Sequence, residues 1–102
     1  MKKIMLICSA GMSTSLLVKK MEEAIAAKDL EITVLAVAEA DVDKNIKGVK
    51  VVLLAPQVRY LAKNLKRKME SLEIPVAIID GIDYGTMDGE KVLNQALFMM
   101  RD

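Results

Sequence analysis

Hydrophobic and polar positions change period repeatedly along the chain, and the changes outline four strand–helix pairs. Ile4-Met5-Leu6-Ile7-Cys8 is a short unbroken apolar run that suits a buried strand or a helix fragment. The Ser9-Ala10-Gly11 cluster ends it abruptly and favours the strand. From Ser13 to Ala27 the spacing becomes helical, with Leu17, Met21, Ala24 and Ile25 on one stripe and Lys19, Lys20, Glu22 and Glu23 off it. Glu31 to Val37 alternates and then runs apolar, a second strand; Glu39 to Ile46 is acidic and weakly patterned, a short helix or loop. In Val49 to Ala55, Val51-Val52-Leu53-Leu54 reads as buried on both faces, and Pro56 ends the strand because it offers no N–H to a ladder. Val58, Leu61, Ala62, Leu65, Met69 and Leu72 then recur at helical spacing. Val76 to Ile79 predicts a fourth strand and Asp80-Gly81-Ile82-Asp83-Tyr84-Gly85 a loop. A last helix runs from about Asp88 to Met100, with Val92, Leu93, Ala96, Leu97 and Met100 on its apolar side.

Apolar strands alternating with helices argue for an α/β fold, a parallel sheet covered on both faces. Right-handed crossovers leave four strands few arrangements; the order 2-1-3-4 puts helices on both sides and is the one expected. The first and third strands then flank the switch point, where ligands bind beyond the carboxyl ends of strands. Cys8 stands at that end of strand 1, and the Pro56-Gln57 and Asp80–Gly85 loops should emerge beside it. With no linker, repeat or low-complexity stretch, residues 1–102 read as a single domain.

Composition narrows the chemistry. Of 102 residues, 53% are hydrophobic and 28% charged, the balance of a folded globule. Fifteen Lys+Arg against fourteen Asp+Glu leave a net charge of +1, with no electrostatic reason to expect a nucleic acid or an anionic membrane as partner. The absence of His removes Ser-His-Asp triads, Cys-His dyads and His-ligated zinc. A single cysteine excludes an internal disulfide, a C-x-x-C pair and a four-thiolate metal cage. Tyr60, Tyr84 and Phe98 are too few to stack bases or a flavin. The apolar run after Lys2-Lys3 is too short for a signal peptide, and no stretch is long enough for a membrane span. An unpaired thiol without an export signal points to the cytoplasm.

What remains is Cys8-Ser9-Ala10-Gly11-Met12-Ser13-Thr14-Ser15, between a strand and a helix. Small residues let the chain curl with successive amides inward, and the helix adds free amides and a positive dipole end. That is an anion cradle, to which Ser9, Ser13, Thr14 and Ser15 add hydroxyls. A nucleophilic sulfur, Cys8, beside such a cradle suggests phosphoryl transfer through a phosphocysteine. Lone cysteines are more often inert core residues, and Ser/Thr runs before helices are more often caps. On the residues alone both readings stay open.

Other phosphate loops fit less well. A P-loop needs a second Gly followed by Lys-Ser or Lys-Thr, and a dinucleotide fingerprint needs three spaced glycines. A flavodoxin-like module would want a fifth strand and aromatics near the loop. Low-molecular-weight tyrosine phosphatases share the strand–loop–helix with a Cys but carry Arg six residues after it, where this chain has Thr14.

Ile7-Cys8-Ser9-Ala10-Gly11-Met12-Ser13-Thr14-Ser15, Val52-Leu53-Leu54-Ala55-Pro56-Gln57 and Asp83-Tyr84-Gly85-Thr86-Met87-Asp88-Gly89 together resemble the lactose/cellobiose-type IIB component of the bacterial sugar phosphotransferase system. The resemblance spans essentially the whole chain. It implies a phosphohistidine–sugar phosphotransferase without metal or organic cofactor. Cys8 would accept phosphate from a IIA partner and pass it to a disaccharide on a membrane IIC partner. It implies a cytoplasmic protein, brought to the membrane through IIC rather than by insertion. A small phosphatase is the alternative enzyme, and a purely structural domain the alternative outside enzymes.

Gln57, Arg59, Asp83 and Tyr84 are candidates for the rim that partners touch. Asp83 has three readings: a general acid as in the phosphatases, the start of a turn closed by Gly85, or part of that rim. Asp80 would cap or brace the same loop. The cations Arg59, Lys63, Lys66, Arg67 and Lys68 form either a solvated face or a dock for an acidic patch. Met12, at the loop tip, would offer an apolar contact.

Overall fold

In the computed structural model, residues 2–9 and 12–100 are described, Met12 and Ser13 by their backbone alone. Four strands, β1 (Lys2–Ile7), β2 (Ile32–Val37), β3 (Val49–Leu54) and β4 (Val76–Ile78), form a parallel sheet in the expected order β2-β1-β3-β4. Ile4 to Ile7 and Val51 to Leu54 are buried without alternation, because helices cover both faces of the two central strands. The edge strand β2 buries only Val34 fully.

The helices are α1 (Met12–Ala27), α2 (Ala62–Glu70), α3 (Gly81–Gly85) and α4 (Gly89–Met100). α1 and α4 pack on one another, inserting Leu17, Met21 and Ile25 from one and Val92, Leu93 and Ala96 from the other. The crossovers β1–α1–β2 and β3–α2–β4 step in opposite directions along the sheet, so right-handedness sends α2 to the other face. There it is tied to the acidic stretch by Lys68 Nζ and Asp43 Oδ1, 2.8 Å apart. That stretch is two 3-10 turns, Glu39–Asp41 and Asp43–Asn45, between which Val42 plugs wholly into the core.

Two elements differ from expectation. The helix predicted from Val58 to Leu72 starts as a 3-10 turn over Pro56–Leu61 and becomes α-helical only at Ala62. Pro56 suits a first turn because its missing donor would have no partner there, but Val58 (φ −115°, ψ 22°) breaks the path. At the other end, Ile74 N donates to Met69 O (3.2 Å) across Glu73 at φ 56°, which stops the helix and leaves Leu72 53% exposed. The Asp80–Gly85 loop is in fact helix α3. Asp80 Oδ1 accepts from the amides of Ile82 (2.9 Å) and Asp83 (3.1 Å), satisfying two donors the short segment could not pair itself.

The strands finish abreast. Ile7 pairs with both Val37 and Leu54, and Leu54 with Ile78. One residue further, Cys8 N donates to Val37 O (3.2 Å), Ala55 N to Ile7 O (2.9 Å) and Ile79 N to Leu54 O (2.8 Å). The segments after β1, β3 and β4 therefore leave the sheet at one level.

Candidate functional site

Cys8 is the first residue past β1, held by its amide bond to β2 and half-buried against the core. Ser9 beside it is exposed. Ala10 and Gly11 lie outside the described residues, as do the side chains of Met12 and Ser13, so the expected loop-tip contact of Met12 lies there too. The chain re-enters description as the first turn of α1, whose leading amides have no acceptor within the helix. No acidic residue stands in that turn. α3 and α4 are different: Asp80 fills the start of one, and Asp88 Oδ1 accepts from Lys91 N (3.1 Å) at the start of the other. The positive end of α1 thus has no carboxylate of its own in its first turn, and it follows the strand end that carries the thiol by a few residues.

The hydroxyls expected to line the cradle part company. Ser15 is exposed, whereas Thr14 is only 4% exposed, its Oγ1 3.4 Å from the hydroxyl of Tyr84. The rim candidates divide as well. Gln57 and Arg59 are exposed on the 3-10 turn after β3, and Asp83 is half-buried in α3. Tyr84, expected on the rim, is 7% exposed and lies inside instead, because α1 covers the ring that α3 sends inward. Gly85 does not close the turn after Asp83. Met87 does, at φ 54°, with Asp88 N bonded to Asp83 O (2.9 Å) and Met87 N to Tyr84 O (3.1 Å).

Arg59, Lys63, Lys66 and Arg67 are exposed, while Lys68 is paired with Asp43. Sequence reasoning missed the exposed apolar side chains at this end: Leu16 on α1, Tyr60 on the turn after β3 and Ile82, 75% exposed, on α3. Nothing in an amphipathic pattern marks an apolar residue that stays outside. Among the described residues, no group of three His, Cys, Asp or Glu is placed to hold a metal ion, and no helix is long and apolar enough to cross a membrane.

The site is therefore a cysteine at a strand end, followed by a hydroxyl-rich segment and a helix with no acidic residue in its first turn, on a 2-1-3-4 parallel α/β sheet. The family model for the lactose/cellobiose-specific IIB subunit of the phosphotransferase system (PTS) matches residues 3–95. An oligo-beta-mannoside-specific EIIB component of the PTS from Bacillus subtilis (strain 168) is 40% identical over 100 residues, covering 98% of this chain and 97% of that protein. A galactose-specific EIIB component from Lactococcus lactis subsp. cremoris (strain MG1363) is also 40% identical, over 97% of this chain and 96% of its own. Among solved structures, the cellobiose-specific IIB component of Borrelia burgdorferi superposes with a TM-score of 0.80 at 43% identity, covering 97% of this chain and 91% of that one. The lactose-specific IIB domain of Streptococcus pneumoniae shares the fold, with a TM-score of 0.86 at 20% identity and 98% coverage of both chains. The chain belongs to the lactose/cellobiose-specific IIB family of the sugar phosphotransferase system. Its two curated relatives above, equally similar to it, are named for different sugars.

Proposed function

We propose that this IIB subunit carries a phosphoryl group on Cys8, between the phosphohistidine of a IIA partner and a disaccharide held by a membrane IIC partner. In the first step the Cys8 thiolate attacks phosphorus; the S–P bond forms, the N–P bond breaks, and its electron pair stays on the imidazole nitrogen. In the second a sugar hydroxyl attacks; the O–P bond forms, the S–P pair returns to sulfur, and the hydroxyl proton goes to a base beside the sugar. The backbone amides from Ser9 to Ser15, including those of Ala10, Gly11 and Met12, cradle the phosphoryl oxygens, helped by the hydroxyls of Ser13, Thr14 and Ser15. Gln57, Arg59 and Asp83 form the rim that both partners meet. The route needs no metal and no organic cofactor. The 102 residues act as one IIB domain, cytoplasmic and at the membrane only through IIC.

The position of Cys8 carries this reading: it sits one residue beyond β1, level with the exits of β3 and β4. Thr14 supports the carrier role over a hydrolase. A phosphatase Arg at that place would grip two phosphoryl oxygens and stabilise attack by water. A threonine hydroxyl has one proton and no charge, so it can donate to one oxygen but cannot grip two, and a carrier has to keep its phosphoryl group from water.

The test is incubation with labelled phosphoenolpyruvate, the general phosphotransferase proteins and the matched IIA, followed by peptide mapping. Label is expected on the Cys8 peptide and absent from Cys8→Ser, whose hydroxyl is a far poorer nucleophile at neutral pH. An unmodified Cys8 beside a verified phospho-IIA, or fast hydrolysis of an aryl phosphate by the chain alone, would overturn the reading.

A further inference from the structure

We propose that Tyr84 is a positioning residue for the phosphoryl group on Cys8, acting through the hydroxyl of Thr14; the inference rests on the phosphocysteine reading above. Thr14 and Tyr84 stand 70 positions apart in sequence, yet both side chains are almost fully buried and their hydroxyls are 3.4 Å apart. Thr14 is the third residue of α1, so its own amide belongs to the open first turn. Tyr84 is held from both sides. Asp80 caps the front of α3 with two bonds, and the Met87 and Asp88 amides close its back on Tyr84 O and Asp83 O. The phenol is thus fixed to the sheet through β4, while Thr14 moves with the helix end that receives the anion.

A hydroxyl carries one proton and two lone pairs, and either member of this pair can be the donor. At 3.4 Å the contact is longer than an ordinary O–H···O bond of about 2.7–2.8 Å, so its direction is not locked. A phosphoryl group on Cys8 selects one direction. Its oxygens only accept, so the Thr14 proton turns to them, and Thr14 Oγ1 then accepts from Tyr84. No proton is transferred. Tyr84 never touches phosphorus; it supplies the donor that keeps the Thr14 hydroxyl aimed.

The test measures the equilibrium of phosphoryl exchange with phospho-IIA, read by 31P NMR, for the wild-type chain, Tyr84→Phe, Thr14→Val, Thr14→Ser and the Tyr84→Phe/Thr14→Val pair. Thermal unfolding is followed in parallel. Tyr84→Phe and Thr14→Val should each lower the phosphorylated fraction's equilibrium constant about three- to tenfold, the net scale of one ordinary hydrogen bond. The pair should lose no more than either alone, and Thr14→Ser should keep the wild-type value. A structural role alone would move the unfolding temperature without this coupling. If the wild-type Cys8 takes label but Tyr84→Phe stays within twofold of it, or the two losses multiply, the proposal is overturned and the carrier reading stands. If Thr14→Val fails to fold, Tyr84→Phe and Thr14→Ser decide by the same limits. If wild-type Cys8 takes no label, the carrier reading itself fails.

Discussion

Gly89, the first residue of α4, rests directly on the backbone of α1 at Lys20. A methyl group on its Cα would lie 2.5 Å from the Lys20 carbonyl carbon and 2.7 Å from Lys20 Cβ and the Met21 amide nitrogen. Real Cβ atoms do not approach so closely, and backbone cannot swing aside as a side-chain tip can. The helix pair that covers one face of the sheet is therefore set by the absence of a side chain at one position.

Gly89→Ala should destabilise the fold by about 1–3 kcal/mol, the usual cost of forcing volume into a packed contact. In calorimetry that is a fall of roughly 4–8 °C in Tm per kcal/mol for a domain of this size. An unchanged Tm would mean that α1 and α4 part more easily than their contact implies.

Asp80→Ala removes the acceptor for two amides of α3 and should cost about 0.5–2 kcal/mol in urea unfolding. Asp80→Asn should recover most of the loss, since its side-chain carbonyl still accepts. Equal losses in both variants would show that the negative charge, not the bond geometry, matters at this cap.

Glu73→Gly should stabilise the chain. Glu73 ends α2 at φ 56°, a left-handed conformation that costs an ordinary residue roughly 1–2 kcal/mol and glycine almost nothing. Glycine's greater freedom in the unfolded chain offsets part of that, leaving about 0.5–1 kcal/mol as a higher urea midpoint. Asp29, at φ 54° after α1, is the weaker target because aspartate tolerates this region better.

Ser15→Asp separates stability from function. Ser15 is exposed in the first turn of α1, where no acidic residue stands. A carboxylate there should stabilise the helix by about 0.3–1 kcal/mol through its dipole. The same charge should repel a phosphoryl dianion, so the labelled fraction at fixed phospho-IIA should fall several-fold while Tm holds or rises. Full labelling would mean that the phosphoryl group does not sit at this helix end.

The sheet was legible because its evidence is dense. Ile4–Ile7 and Val51–Leu54 are apolar on every residue, which a central parallel strand needs and a surface element does not tolerate. Chirality then fixed the order, and with it the meeting of three chain segments beside Cys8. α3 was not legible. Six residues with two glycines show no helical period, and what makes them a helix is the Asp80 carboxylate and the left-handed Met87, both local hydrogen-bond effects. The kink at Val58 was hidden because Val58, Leu61, Leu65 and Met69 keep their apolar stripe across it. Tyr84, flanked by Asp83 and Gly85, has the neighbours of a surface residue. Its burial depends on a helix 70 positions away, which no window along the chain contains.

The matched ends of Ile7, Val37, Leu54 and Ile78 have one more outcome. Each outgoing segment is rooted by its first amide on the last rung of a neighbouring strand, and not on another outgoing segment. Substitutions that reshape one landing, such as the turn bearing Gln57 and Arg59, leave the ground under the thiol undisturbed. The height of the sulfur above the sheet is thus set where the first strand meets the second, and owes nothing to the turn that follows the third.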